Sequence, residues 1–247
     1  MTYVLDRNLI YYGLALAVIL SGCSRPFDVT AEYDNLRRII GNRDAAGLAQ
    51  FISSGGVNPR VEMGGGLWVH PIHVAAAGRS QWAIDELVSA GADVNAPDSE
   101  GNSPLYWAMI RGGGAEGEEI LQVLLNHGAD IDQKIARDGR TLLQAEASSG
   151  GQSSAQVLLE SGANVNAINK YGQTALHLAI RGPGVLDSRI LDVVKLLLRH
   201  GATVDIKDHH GVTPIDLAES RKMPELTETL KQVIAGGSSG PDVDDVP

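Results

Sequence analysis

A six-residue unit returns along this chain at a spacing that a single globular core does not explain. It is clearest as Thr174-Ala175-Leu176-His177-Leu178-Ala179. It recurs as His70-Pro71-Ile72-His73-Val74-Ala75, Ser103-Pro104-Leu105-Tyr106-Trp107-Ala108 and Thr213-Pro214-Ile215-Asp216-Leu217-Ala218, and most weakly as Thr141-Leu142-Leu143-Gln144-Ala145. After each of the first four copies in chain order comes an apolar helical segment closed by glycine: Gly91-Ala92-Asp93-Val94-Asn95, Gly128-Ala129-Asp130-Ile131-Asp132, Gly162-Ala163-Asn164-Val165-Asn166 and Gly201-Ala202-Thr203-Val204-Asp205. The copies start at positions 70, 103, 141, 174 and 213, so the intervals are 33, 38, 33 and 39 residues. A period in this range predicts stacked supersecondary units, none of which can bury its apolar face alone.

Each residue of the unit has a physical reason. Thr, or Ser103, is a helix N-cap whose hydroxyl accepts an orphan backbone N–H. Proline suits the next position, where no N–H is needed. The Leu or Ile and the small Ala face neighbouring units, and Ala lets helices approach closely. The second helix carries an apolar stripe, Val123-Leu124-Leu125 in one unit and Val193, Val194, Leu197 and Leu198 in another. Glycine in a left-handed conformation then ends it. On these residues the chain resembles the ankyrin repeat, whose signature is T-P-L-H-x-A and whose period is about 33 residues. The resemblance spans roughly residues 31–235. It implies an all-α repeat solenoid: an ankyrin-repeat stack of helix pairs with β-hairpin-like loops, capped at both ends. It further implies protein binding without catalysis, and no cofactor.

The two long intervals locate insertions. Motif start to Gly-Ala start is 21 residues in two units, but 25 from Ser103 to Gly128 and 27 from Thr174 to Gly201. The extra residues include Gly112-Gly113-Gly114-Ala115-Glu116-Gly117 and Gly182-Pro183-Gly184-Val185-Leu186-Asp187, which read as enlarged inter-helix loops. The expected organisation is a cap over 31–62, repeats near 66–97, 98–135, 136–168 and 169–207, and a C-terminal cap over 208–235. A Gly/Ser/Asp-rich tail, 236–247, is expected to be disordered.

The N-terminus carries a second signal. Leu9 to Leu20 is an apolar run interrupted by Tyr11, Tyr12 and Gly13, too short for a bilayer span of about 20 residues. It suits a signal-peptide core. It ends in Leu20-Ser21-Gly22-Cys23, which resembles a bacterial lipobox, and Cys23 is the sole cysteine. The resemblance implies a signal peptide over 1–22, lipidation of Cys23 and a short linker over 23–30. With Ser24 next, it implies an envelope protein on the outer membrane, facing the periplasm. Two or more acyl chains anchor stably where one does not.

Net charge is −10 and stays so without residues 1–22, which hold one Asp and one Arg. That balance disfavours nucleic acid and anionic membrane surfaces. No small-molecule substrate is implied. In ankyrin proteins the hairpin tips and the exposed side of the first helix form a concave recognition face. Carried over by position, it comprises Trp68, Glu100, Asn102, Arg111, Arg137, Asp138, Arg140, Lys170, Tyr171, Gln173, Arg181, His209 and His210. Five of these are Arg or Lys on an otherwise acidic chain, so the expected partner is a protein presenting carboxylates. Trp68 and Tyr171 are the candidate aromatic anchors.

Several chemical-looking features have plainer readings. His73 and His177 fill the motif's hydrogen-bonding histidine position. His127 and His200 precede helix-ending glycines, where a positive imidazole suits the negative helix end. His209-His210 falls short of the four ligands of structural zinc, and extended neighbours point apart. Residues 112–117 spell G-x-G-x-x-G, yet follow a helix rather than a strand. Within the binding class, an immunity protein blocking a periplasm-acting toxin or enzyme is an alternative to a scaffold. A hydrolase using the inserted loops is a remoter one, lacking any clustered nucleophile, base or metal ligands.

Overall fold

The computed structural model describes residues 31–109, 114–135, 138–182 and 188–235. The proposed signal peptide, Cys23, the linker, Arg111, Arg137 and the tail 236–247 lie outside the described residues.

Twelve described helices follow one another in pairs. The N-terminal pair is α1 (Ala31–Gly41) and α2 (Ala45–Gly55), and a hairpin of β1 (Val61–Gly64) and β2 (Leu67–Val69) follows. The repeats are α3 (Pro71–Ala77) with α4 (Gln81–Ser89), α5 (Pro104–Met109) with α6 (Gly114–Asn126), α7 (Leu142–Ser149) with α8 (Gln152–Glu160), and α9 (Ala175–Arg181) with α10 (Ser188–Arg199). The last pair is α11 (Pro214–Ser220) and α12 (Pro224–Ala235). The fold is an all-α ankyrin solenoid.

Capping sets each start. The Thr141, Thr174 and Thr213 hydroxyls accept the amides of Gln144, His177 and Asp216, and Ser103 accepts that of Tyr106. In the first motif His70 replaces Thr. There the His73 ring accepts the His70 amide, at 3.1 Å, and His70 Nδ1 bonds the Pro59 carbonyl, at 3.0 Å. Pro71, Pro104 and Pro214 open α3, α5 and α11. Gly91, Gly128, Gly162 and Gly201 all have φ between +83° and +96°, the left-handed region that costs a side chain energy. That turn lets the amide of the following Ala reach back to Leu87, Leu124, Leu158 and Leu197, at 2.9–3.0 Å, closing the helix.

The apolar residues of both helices form one continuous core running through every repeat, from Tyr33 and Leu36 to Leu226 and Leu230. The inner helices pack in sequence, α3 on α5, α7 on α9 and α9 on α11. The insertions differ from expectation. Residues 114–117, read as loop, are the first turn of α6, which reaches 13 residues against 9 in α4 and α8. Gly117 is buried where a Cβ would lie 3.5 Å from the Ala108 carbonyl, so close helix packing accounts for it. The remaining inserted residues, 112–113 and 183–187, lie outside the described residues.

Candidate protein-interaction face

Three of the inter-repeat loops each turn on one residue. Asp98 Oδ1 accepts the amides of Glu100 and Asn102, at 2.8 and 2.9 Å, while Oδ2 takes the Trp107 indole N–H at 2.8 Å. Asn169 accepts the amides of Tyr171 and Gln173, and Asp208 those of His210 and Val212. A short side chain bonding its own backbone two residues on is the standard brace of such turns. The third loop is built differently. Its closing bond runs from the Ile135 amide to the Arg140 carbonyl, at 2.8 Å, so Ile135 stands in the place of Asp98, Asn169 and Asp208. Four residues, not three, then lie between the closing pair, and the Arg140 guanidinium binds Asp138. This accounts for one residue of the 38-residue interval.

The tips are tied to one another through the backbone. The Ser99 amide donates to the Trp68 carbonyl at 3.1 Å, that of Lys170 to Asp138 at 3.1 Å, and that of His209 to Tyr171 at 2.9 Å. Gly172 has φ +76°, and a Cβ there would come within 2.7 Å of the His209 ring, so the fourth and fifth tips are pressed together. The first two tips are thus fixed to each other, and so are the last three.

The residues expected on this face divide into three groups. Glu100, Lys170, Tyr171, Arg181, His209 and His210 are exposed, and Asp138 and Arg140 are half-buried in their mutual pair. Asn102 and Gln173, expected as contacts, are buried: Asn102 bonds Asp98, and Gln173 bonds Asn169. They hold the turns and offer little to a partner. Trp68 is half-buried, with the Arg60 guanidinium 4.3 Å over its ring and His70 edge-on at 5.5 Å, and its amide donates to Ser99 Oγ. Among the described residues no group of three or more His, Cys, Asp or Glu side chains is placed to hold a metal.

Four residues that sequence reasoning passed over matter here. Ile168 is 48% exposed and Tyr171 46% on the same loop, and Lys134 Nζ donates to the Ile168 carbonyl at 2.6 Å. An apolar residue aligned with the exposed Pro97 and Lys207 was the available signal for Ile168. Gln144 takes the motif's histidine position: its Nε2 donates to the carbonyls of Gln173, at 3.0 Å, and Ala167. Glu146 stands at the motif's final Ala. Burial pushes its carboxyl up to about 7, against a smaller downward pull from the Ser154 hydroxyl.

The motif histidines are neutral donors. His177 Nδ1 accepts the Thr174 amide at 3.2 Å, which leaves Nε2–H to donate to the Val212 carbonyl of the next repeat at 3.1 Å. His73 does the same toward Asn102, at 3.2 Å. Burial lowers the pKa of both, that of His73 to about 4. His127, expected to address its helix end, instead meets Asp85 of the preceding repeat at 2.7 Å. His200 is exposed.

The comparisons agree with this architecture. A family model described as ankyrin repeats (three copies) matches residues 44–135 and 115–208. The chain is 32% identical over 177 residues to the nuclear factor NF-kappa-B p105 subunit of Gallus gallus, covering 70% of this chain and 17% of that one. It is 33% identical over 171 residues to the B-cell lymphoma 3 protein homolog of Mus musculus, covering 68% and 36%. It therefore spans well under half the length of these relatives. Among solved structures, an ankyrin repeat domain from Acinetobacter baumannii AYE superposes with a TM-score of 0.62 at 32% identity, covering 81% of this chain and 97% of that one. Motif, capping, stacked helix pairs and family match converge: this chain belongs to the ankyrin-repeat family.

Proposed function

We propose that this protein is a non-catalytic ankyrin-repeat lipoprotein of a bacterial envelope, held by lipid on Cys23, that binds a partner protein along its row of loop tips and inner helices. Ankyrin repeats imply protein–protein interaction. The observation that carries the reading here is the tip row itself, its first two and its last three tips joined by backbone hydrogen bonds and lined with exposed side chains. A surface already rigid before binding loses less entropy on association. The anchoring part rests on the apolar run ending in Leu20-Ser21-Gly22-Cys23. Among the described residues no helix is long and apolar enough to cross a membrane. An acidic, repeat-built body on a lipid anchor would present its tips to a neighbour in the envelope.

The test compares wild type with Cys23→Ser in a bacterial host by cell fractionation and by mass spectrometry of the N-terminal peptide. Wild type is expected in the membrane fraction with an acylated Cys23 and Cys23→Ser in the soluble fraction. Identical fractionation, or an unmodified Cys23, would overturn the anchored reading.

A further inference from the structure

Among the described residues the exposed large apolar side chains are Ile168, Tyr171 and Ile234. Two of these three sit on one loop tip, that of the fourth repeat. Lysines flank the pair. Lys134, beside the third tip, reaches the Ile168 carbonyl at 2.6 Å, and the Lys170 ammonium lies 5.0 Å from the centre of the Tyr171 ring. Lys207, exposed, stands beside the fifth tip, where the His209 amide is bonded to the Tyr171 carbonyl. Neither Lys134 nor Lys207 enters an ion pair among the described residues. The chain as a whole carries −10, so this stretch runs against its own background. The other aromatic of the face, Trp68, is already covered by Arg60 and His70.

We infer that the partner docks an acidic extended segment on the third to fifth loop tips, and that an apolar side chain of that segment seats against Ile168 and Tyr171. This rests on the reading of the concave face as a protein-binding surface. Solvated surface charges alone contribute little. A desolvated apolar and aromatic anchor flanked by several lysines is different, because the anchor supplies affinity and the charges supply orientation and rate. The clamp between Gly172 and His209 holds the anchor loop in place before the partner arrives.

The experiment pans a display library of random dodecapeptides on the full chain. Selected peptides are then measured by fluorescence anisotropy against wild type, Ile168→Ala, Tyr171→Ala, Lys134→Glu with Lys207→Glu, and, as a second location, Arg181→Glu. All five side chains project into solvent or stand at its edge, and unchanged far-UV spectra verify that the variants fold. The expected result is enrichment of Asp and Glu around an apolar residue. Binding should weaken with salt and fall about tenfold or more in Tyr171→Ala and in the double charge reversal. No enrichment, or selection of basic or uncharged peptides, overturns the inference. Peptides weakened by Arg181→Glu yet indifferent to Ile168→Ala and Tyr171→Ala overturn it while leaving the concave-face reading standing. Indifference to every variant overturns both.

Discussion

Glu146 is the residue least at home in this fold. Its counterparts in the other four motifs, Ala75, Ala108, Ala179 and Ala218, are at most 1% exposed. A methyl group fits between the paired helices there; a carboxylate does not without losing water. The side chain folds over the Gly150-Gly151 turn, since a Cβ on Gly151 would stand 2.4 Å from Glu146 Oε2. Burial therefore holds the acid protonated up to about 7 in the folded protein, against an ordinary value of 4.5. The folded state binds more protons than the unfolded state between those values. Stability must then fall as pH rises through this window, reaching a deficit of about 3 kcal/mol above it. The neutral His73 and His177 act oppositely: their folded pKa values are lowered, so they cost stability as pH falls below the ordinary histidine range. Glu146→Ala is expected to raise the melting temperature by several degrees at pH 8 and to change it little at pH 5. Thermal melts across that range check it; an unchanged pH slope in the variant would remove Glu146 as its source.

At the scale of elements, the fourth motif position is a cross-repeat connector. His73, Gln144 and His177 each cap their own helix and donate to the next loop, the histidines once and Gln144 twice. Asp216 in the last motif turns its carboxylate back onto the Thr213 amide and hydroxyl, at 2.9 and 2.7 Å. A carboxylate has no proton to pass on, which suits the motif that ends the array. Removing Gln144 takes its bond from the Ala167 carbonyl and one of two donors from the Gln173 carbonyl, which keeps the Asn169 amide, at a cost of about 1–3 kcal/mol. Gln144→Leu is expected to lower stability by that amount and Gln144→His to recover most of it, read by urea denaturation. The helix N-caps and the closing glycines were legible in the sequence because each is a local backbone requirement tied to one residue type. Gln144 was hidden by its name, since an amide meets the same geometry as a neutral imidazole. Asn102 and Gln173 looked exposed because turn position alone does not reveal a side chain folding inward onto Asp98 or Asn169. The extra residue of the third tip was concealed within an interval that also held the longer α6.

For the whole molecule the question is how far cooperativity travels. In a stacked array stability is a sum of repeat terms and nearest-neighbour interfaces, so a weak interface can divide unfolding into blocks. A buried carboxylate weakens one repeat in this way: the third repeat holds Glu146 and follows the tip where Ile135 replaces the bracing Asp or Asn. A division there would separate a block from α1 to α6 from a block from α7 to α12, against the outer-helix contact of α6 with α8 that spans it. The chain's three tryptophans, Trp68, Trp82 and Trp107, all lie in the first block. Indole fluorescence therefore reports the N-terminal block alone, whereas far-UV circular dichroism reports both. Urea denaturation at pH 8 followed by the two signals is expected to give transitions that do not coincide, the departure from two-state behaviour that such probes detect. The C-terminal block, burdened by the ionised Glu146 at that pH, should unfold at lower urea. Glu146→Ala should move the dichroism curve toward the fluorescence curve and leave the latter in place. Coincident curves in wild type would mean that the continuous core couples the array into one unit despite Glu146.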